Sequence, residues 1–324
     1  MEVGKLNWDD LKQIIDNNKS VVRDDVRIRS GIGEDCSVIN FGEYECVVST
    51  DPITGADKNI GKLAVHINCN DIASCGVEPI GILVTILVPP TATIEDIKNI
   101  MEEIDVETKK LNVEILGGHT EVTEAVNRIV VSCTAIGKGK AQSAVATSGA
   151  KLGDDIVITK LLCMEGTSII VNDYLDRIRD ILTDKEIETA KDYVNSISVV
   201  NEGRIAGEFG VNSMHDITEG GVLGALWELA EASNLGFKVY NDKMPISDIT
   251  YKICERLNID PLKFISSGSM LITATCGKEL TDKLNSEGIQ ATVIGNMTAA
   301  RGILVIEEIE KDVLPPTRDE LFSI

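Results

Sequence analysis

The sequence predicts an α/β (α+β) chain folded as two domains, and three observations carry that expectation. The first is length: 324 residues exceed one ordinary core and suit two domains of roughly 150 residues each. The second is composition, with 43 % hydrophobic residues but only 4 % aromatic, so the core must be built from Val, Ile, Leu and Ala. Such usage suits layers of sheet and helix packed together. The third is rhythm, because apolar segments of strand length alternate with amphipathic segments of helix length along the whole chain.

Trp8 to Asn17 has apolar residues at helical spacing (Trp8, Leu11, Ile14, Ile15), with Asn7 as the expected N-cap. Cys46 to Thr50 reads as a strand ending at Asp51. Ile60 to Cys75 reads as a helix with small residues on one face, closed by Gly76. The apolar run Ile80 to Val88 is a buried strand stopped by Pro89 and Pro90, and Thr93 to Leu111 is an amphipathic helix. Val113 to Leu116 is a short strand running into Gly117 and Gly118, and Arg128 to Ile136 is another. Gly137 to Gly153, rich in Gly, Ala, Ser and Lys, separates an expected domain 1–140 from a second, 150–324. The second half is expected to hold a strand from Asp155 to Lys160, two long helices (about 183–209 and 221–234), and strands near Met270 to Ala274 and Gly302 to Glu307. The tail after Val313 is expected to be loosely held.

Charge and cysteine usage exclude several function classes. Lys plus Arg is 31 against 52 for Asp plus Glu, a net charge of −21, and no basic patch interrupts it. That surface repels a phosphate backbone, so nucleic acid is not an expected partner. An anionic substrate would need a metal or a local cluster of donors. No apolar run approaches the roughly 20 residues that span a bilayer, and Met1 to Asp10 has no signal-peptide character, so a cytoplasmic protein with no membrane partner is expected. Eight cysteines without a CxxC spacing read as reduced, mostly buried small residues, and with only three histidines a zinc site is disfavoured.

Four short clusters in the first half carry chemistry. They are Gly33-Glu34-Asp35-Cys36, Ser49-Thr50-Asp51 at a strand end, Asn68-Cys69-Asn70-Asp71 in the small-faced helix, and Gly117-Gly118-His119-Thr120-Glu121 after a strand. A single acid at a strand end is ordinarily a capping residue. Carboxylates converging from separate elements repel unless a cation lies between them, and magnesium favours such hard oxygen ligands while bridging to phosphates.

These clusters, with the run Ile60 to Pro79, resemble the AIR synthase superfamily. The second half agrees in Gly149 to Lys160, Glu165-Gly166-Thr167, Asp216-Ile217-Thr218-Glu219-Gly220-Gly221 and Ser267-Gly268-Ser269. Within the superfamily the likeness is greatest to HypE-like hydrogenase maturation factors. The resemblance implies a PurM-like two-domain architecture, in which an N-terminal mixed-sheet domain forms a barrel across a homodimer and a C-terminal α/β domain packs on it. It implies ATP and Mg2+ as cofactors, and transfer of the γ-phosphoryl group to an oxygen of a small-molecule acceptor, with a maturation-type protein as a possible partner. By residue match, Asp35, Asp51, Asp71 and Glu121 would hold metal. Asn68, Gly117, Gly118, Thr120, Asp216, Thr218, Gly220 and Gly221 would bind the nucleotide. Lys62, His66 and His119 would be catalytic.

Two departures bear on the reaction. Many relatives have an acid where this chain has His119, so either Glu121 takes over as ligand or His119 meets phosphate. HypE chains end in a cysteine that accepts a carbamoyl group, whereas the last cysteine here is Cys276, so no thiol in this tail is expected to carry such a step. A non-catalytic nucleotide-binding scaffold and a thiamine-monophosphate kinase are the alternatives. The stretch Gly55 to Leu63 fails as a P-loop, with five residues between its glycines and Leu63 where Ser or Thr is needed. His215 divides between cleft and core, and Cys36, Cys69 and Cys75 are expected core fillers.

Overall fold

The computed structural model describes residues 4, 6, 8–17, 21–29, 31–54, 58–315 and 318–324. The expected N-cap Asn7 and part of the P-loop-like stretch lie outside them. A first helix, α1 (Trp8–Asn17), packs Trp8 against Trp227 with ring centroids 4.9 Å apart. Six strands follow: β1 (Val26–Ile28), β2 (Ser37–Asn40), β3 (Tyr44–Ile53), β4 (Glu78–Val88), β5 (Glu114–Val122) and β6 (Val130–Lys140). They form one mixed sheet in the order β1-β2-β3-β6-β4-β5, with only β4 and β5 parallel. Two helices, α2 (Ile60–Ser74) and α3 (Ile94–Leu111), belong to this half. Thr93 and Asp96 close a reciprocal capping box that starts α3.

The sheet is covered on one face only. Val47, Ser49 and Ile53 of β3, Val131, Cys133 and Ala135 of β6, and Ile82, Val84, Ile86 and Val88 of β4 are buried. The opposite face carries Thr50, Ser132, Thr134, Leu83 and Leu87 and stays at least partly open. Helix α2 is buried on every side, because sheet, α3 and the second half all pack on it.

The second half contains β7 (Asp155–Thr159), α4 (Met164–Asp173), α5 (Asp184–Asp192), α6 (Val200–Phe209), β8 (Ser213–Ile217), α7 (Gly221–Ser233), β9 (Gly236–Tyr240), α8 (Asp248–Leu257), β10 (Ser269–Ala274), α9 (Gly277–Ser286), β11 (Ala291–Thr298), β12 (Gly302–Ile306) and β13 (Ile309–Asp312). Its seven strands run β13-β12-β9-β11-β7-β10-β8, with β12 and β9 parallel. Both faces of the middle strands are covered. Ile156, Ile158 and Leu271 join one apolar cluster with α4, α7 and α8, while Val157, Met270 and Ile272 join another with α6 and α9.

Several expected boundaries move. The long helix at 183–209 is two helices, broken by a 3₁₀ turn at Tyr193–Ser196 and the segment 197–199. Strand β5 continues through Gly117 and Gly118 to Val122 instead of ending before them, since pairing with β4 holds the glycines extended. The C-terminal segment is docked, not loose: Asp319 accepts from the Gly220 and Leu321 amides at 2.7 Å, and Leu321 is buried. Residues 316 and 317 lie outside the described residues.

Candidate active site

The two halves meet along α2. Gly203 of α6 sits so close that an added Cβ would lie 2.1 Å from the Ala73 carbonyl, and only glycine permits that crossing. Asn70 of α2 accepts from the Val199 amide and donates to the Ile197 carbonyl, both at 2.8 Å, tying α2 to the segment before α6. This seam opens at one end into a cleft of about 420 Å³ lined by Asp35, Asp51, Asp71, Arg128, Glu165 and Thr218 among others.

Asp51 stands near the end of β3, on the helix-covered face. Its amide donates to Asn68 Oδ1 at 2.8 Å, and Asn68 Nδ2 donates back to the Asp51 carbonyl at 3.3 Å and to Ala64 at 2.9 Å. Asn68 is fully buried. Its side chain is therefore engaged in anchoring the Asp51 backbone. Asp71, 2 % exposed, accepts from Ser49 Oγ. Burial, then Asp216, Asp35 and Asp51, push its carboxyl well above the usual carboxylate range.

Asp35 comes from the loop before β2. Its neighbour Glu34 turns away, accepting from the Thr147 and Ser148 amides at 3.1 and 2.8 Å and pinning the linker. Asp35 Oδ2 lies 2.8 Å from His215 Nδ1, and His215 Nε2 lies 2.6 Å from Glu228 Oε2. Burial pulls the imidazole down, but Asp35 and then Glu228 outweigh it and hold the ring well above the histidine range. One atom each from Asp35, His215 and Asp216 lie within 4.8 Å of one another. A ring with both nitrogens engaged by carboxylates is a donor, not a metal ligand. The oxygen atoms of Asp35, Asp51, Asp71 and Asp216 are the donors left, and acids that raise one another's proton affinity fit a hard divalent cation.

The remaining expected site residues are placed elsewhere. Lys62 Nζ lies 3.4 Å from Glu107 and bonds Asn195, and His66 Nε2 lies 3.0 Å from Glu107 Oε2. The His66 bond first, and Lys110 and Lys62 with it, hold Glu107 at about 2. Neither Lys62 nor His66 lines the cleft. The Gly220 amide is taken by Asp319, and a Cβ on Gly221 would meet the Leu262 carbonyl at 2.7 Å. The clearance of that pair is thus used by the protein's own turn. Along the sheet Pro52 pairs with Ser132, Ser132 with Thr85, and Thr85 with His119. His119 and Glu121 therefore project from the open face, opposite to Asp51. His119 is 67 % exposed and 3.5 Å from Glu121. Within one chain, Gly117, Gly118, His119, Thr120 and Glu121 do not reach the cleft.

Arg128, Glu165 and Ser267 are polar cleft residues that lay outside the expected set. Arg128 follows a turn, and nothing in its neighbours marks it. Glu165 and Ser267 stand in segments that carried the family likeness, yet neither was assigned a role. Cys36, Cys69 and Cys75 are buried as expected; the Cys75 thiol and then burial push Cys36 far up, and burial does so for Cys69.

The sequence pattern of the AIR synthase related protein N-terminal domain matches residues 33–138, and that of the C-terminal domain matches 153–307. The chain is an AIR synthase related protein. This AIR synthase related protein is 28 % identical over 322 residues to a provisionally named hydrogenase expression/formation protein of Methanocaldococcus jannaschii, covering 94 % of this chain and 92 % of the relative. It is 27 % identical to the carbamoyl dehydratase HypE of Bradyrhizobium diazoefficiens over 74 % of this chain and 69 % of the relative. It is 26 % identical to the thiamine-monophosphate kinase of Pyrococcus horikoshii over 88 % of each. Among solved structures, HypE from a HypE–HypF complex superposes with a TM-score of 0.74 at 22 % identity, covering 88 % of this chain and 94 % of that one. A ThiL bound to AMPPCP and TMP superposes with 0.75 at 18 % identity, covering 98 % and 99 %. The PurM-like two-domain fold of mixed sheets and helices is thereby established. Among the described residues, no helix is long and apolar enough to cross a membrane.

Proposed function

We propose that this AIR synthase related protein is an ATP- and magnesium-dependent enzyme that transfers the γ-phosphoryl group to an oxygen of a small acceptor. The observation that carries this reading is the convergence of Asp35, Asp51 and Asp71, from a loop, a strand and a helix, on one cleft that also holds Arg128. Asp35, Asp51 and Asp71, with Asp216 beside them, would hold magnesium, which when bound neutralises charge on the transferred group. Arg128 would meet the phosphates with its planar fork. His215, fixed by Glu228, orients Asp35 from the opposite half, so the cation-binding group is complete only when the halves are docked.

A homodimer closing a barrel fits the open sheet face, which exposes Leu83 and Leu116 beside His119 and Glu121. It would offer those last two residues to a second copy. A maturation-type protein partner is supported by likeness to HypE from a HypE–HypF complex. The relative from Pyrococcus horikoshii supports thiamine-monophosphate kinase as the second reading, and one assay with thiamine monophosphate decides it.

Purified protein with Mg2+ and ATP is expected to bind nucleotide and release ADP. Asp51→Asn and Asp71→Asn are each expected to lower that release by roughly 100-fold or more, the scale of losing preorganised charge at a transferring phosphoryl. Wild-type protein that neither binds nor cleaves ATP sinks the reading, and nucleotide binding without turnover for any acceptor favours a scaffold.

A further inference from the structure

Glu165 is a carboxyl in the cleft that the cation-binding group does not use. It lies in the first turn of α4 and is 3 % exposed. It borders both the cleft and a smaller cavity behind it, lined by Lys58, Asn59, Leu63 and Ile169 among others. The hydrogen bond that holds it comes from the Ser267 amide at 3.3 Å. Ser267 also lines the cleft, and its buried hydroxyl, near enough to Glu165 to lower it, closes no hydrogen bond of ordinary geometry among the described residues. A buried hydroxyl left open on a cleft wall costs free energy unless something binds there. Ile169, Ile265 and Leu321 make the surroundings apolar.

We propose that Glu165 is the general base of this cleft, taking the proton of an acceptor whose oxygen the Ser267 hydroxyl holds. This assignment rests on the phosphoryl-transfer reading. In the step, the acceptor oxygen forms its bond to the γ-phosphorus while the bond from that phosphorus to the bridging oxygen breaks. The electron pair leaves on ADP, and the acceptor's proton passes to a Glu165 carboxylate oxygen. The substrate class implied is one with a proton to surrender, a hydroxyl or an amide, and not a phosphate monoester, whose acceptor oxygen is already ionised.

Electrostatics agree with the geometry. Burial raises Glu165 to about 7, the Ser267 bonds lower it by less, and Asp319 and Glu219 raise it further. Lys58 of the rear cavity donates to the Asn172 carbonyl at 2.9 Å and lies 3.9 Å from Asp173, so it is engaged away from the acid. A base poised near neutral pH exchanges protons most effectively there.

The test uses water as the acceptor, since water also gives up a proton. Basal ADP release from Mg-ATP is expected to rise with pH about a midpoint near 7. Glu165→Gln should lower it roughly 100-fold and abolish that midpoint, and Ser267→Ala should lower it several-fold. Affinity for AMPPCP with magnesium should stay within about twofold in both. Independently of turnover, a ¹³C-glutamate carboxyl resonance missing from the Glu165→Gln protein should titrate near pH 7 in the AMPPCP complex. Titration at an ordinary glutamate value, or an unchanged rate and midpoint in Glu165→Gln, overturns the assignment. Wild-type protein that fails to bind AMPPCP overturns the phosphoryl-transfer reading instead.

Discussion

At the residue scale, the cleft brings together acids that ordinary surface chemistry would keep apart. Asp71 is held in by Ser49 and by its place on a buried helix, and Asp35 by a cationic His215. Glu165 has neither a cation nor a full set of donors, which leaves its ionisation unsupported. Its folded pKa of about 7 exceeds the ordinary glutamate value of 4.5, so the folded state binds the extra proton. Stability from this group is therefore complete below about pH 4.5 and is lost as pH rises through 7. Glu165→Gln should then be more stable than wild type at pH 8, by up to about 3 kcal/mol, with no gain near pH 4.5. Urea denaturation at the two pH values checks this; equal midpoints at pH 8 would refute the burial argument. Such a gain in stability with a loss of turnover is the usual signature of a strained functional group.

At the element scale, the decisive piece is α2. It carries Asp71, Asn68 and Asn70 to three different partners, and its small residues let α6 approach until Gly203 touches backbone. The Lys62, His66 and Glu107 cluster holds α2 to α3, and Lys62 reaches Asn195 in the segment after α5. The C-terminal segment is the other informative element. Its Asp319 clamps the Gly220 amide at the start of α7 and sets Leu321 and Phe322 into the cleft wall. Burial raises Asp319 to about 6, while the amides it accepts from hold it down. Asp319→Ala should leave the Gly220 amide without a partner, cost about 1–3 kcal/mol, and expose the tail to proteolysis. A variant with wild-type cleavage kinetics would show that the clamp does not hold the tail.

At the scale of the whole molecule, two mixed sheets of different coverage are joined along α2. The second is buried on both faces, and the first keeps one face open, with Leu83 and Leu116 exposed on it. A sheet face with apolar side chains standing in water is the expected signature of a subunit contact. Placing lysine at both Leu83 and Leu116 should give a monomer in light scattering if the wild type is a dimer through this face. An unchanged particle mass would rule that contact out.

Much of this was legible before the fold was known, because the relevant signals are local. An apolar run stopped by Pro89 and Pro90 marked β4, helical spacing of apolar residues marked α3, and Asp35, Asp51 and Asp71 stood in short motifs that chain order made recognisable. Other features were set by contacts between distant residues. Gly117 and Gly118 read as a loop, yet pairing with β4 extends them. The tail after Val313 reads as loose, yet one buried carboxylate docks it. His119 and Glu121 are close to the acids in motif order but on the opposite face of the sheet, because side chains alternate and register alone assigns the face. The sequence by itself determined the family, the strand and helix rhythm and the three acids that converge on the cleft. Only the tertiary structure decided that His215 serves Asp35 from the other half, that Lys62 and His66 serve Glu107, and that Glu165 is buried in the cleft. Burial and long-range pairing are properties of the packed chain, and no local window of sequence contains them.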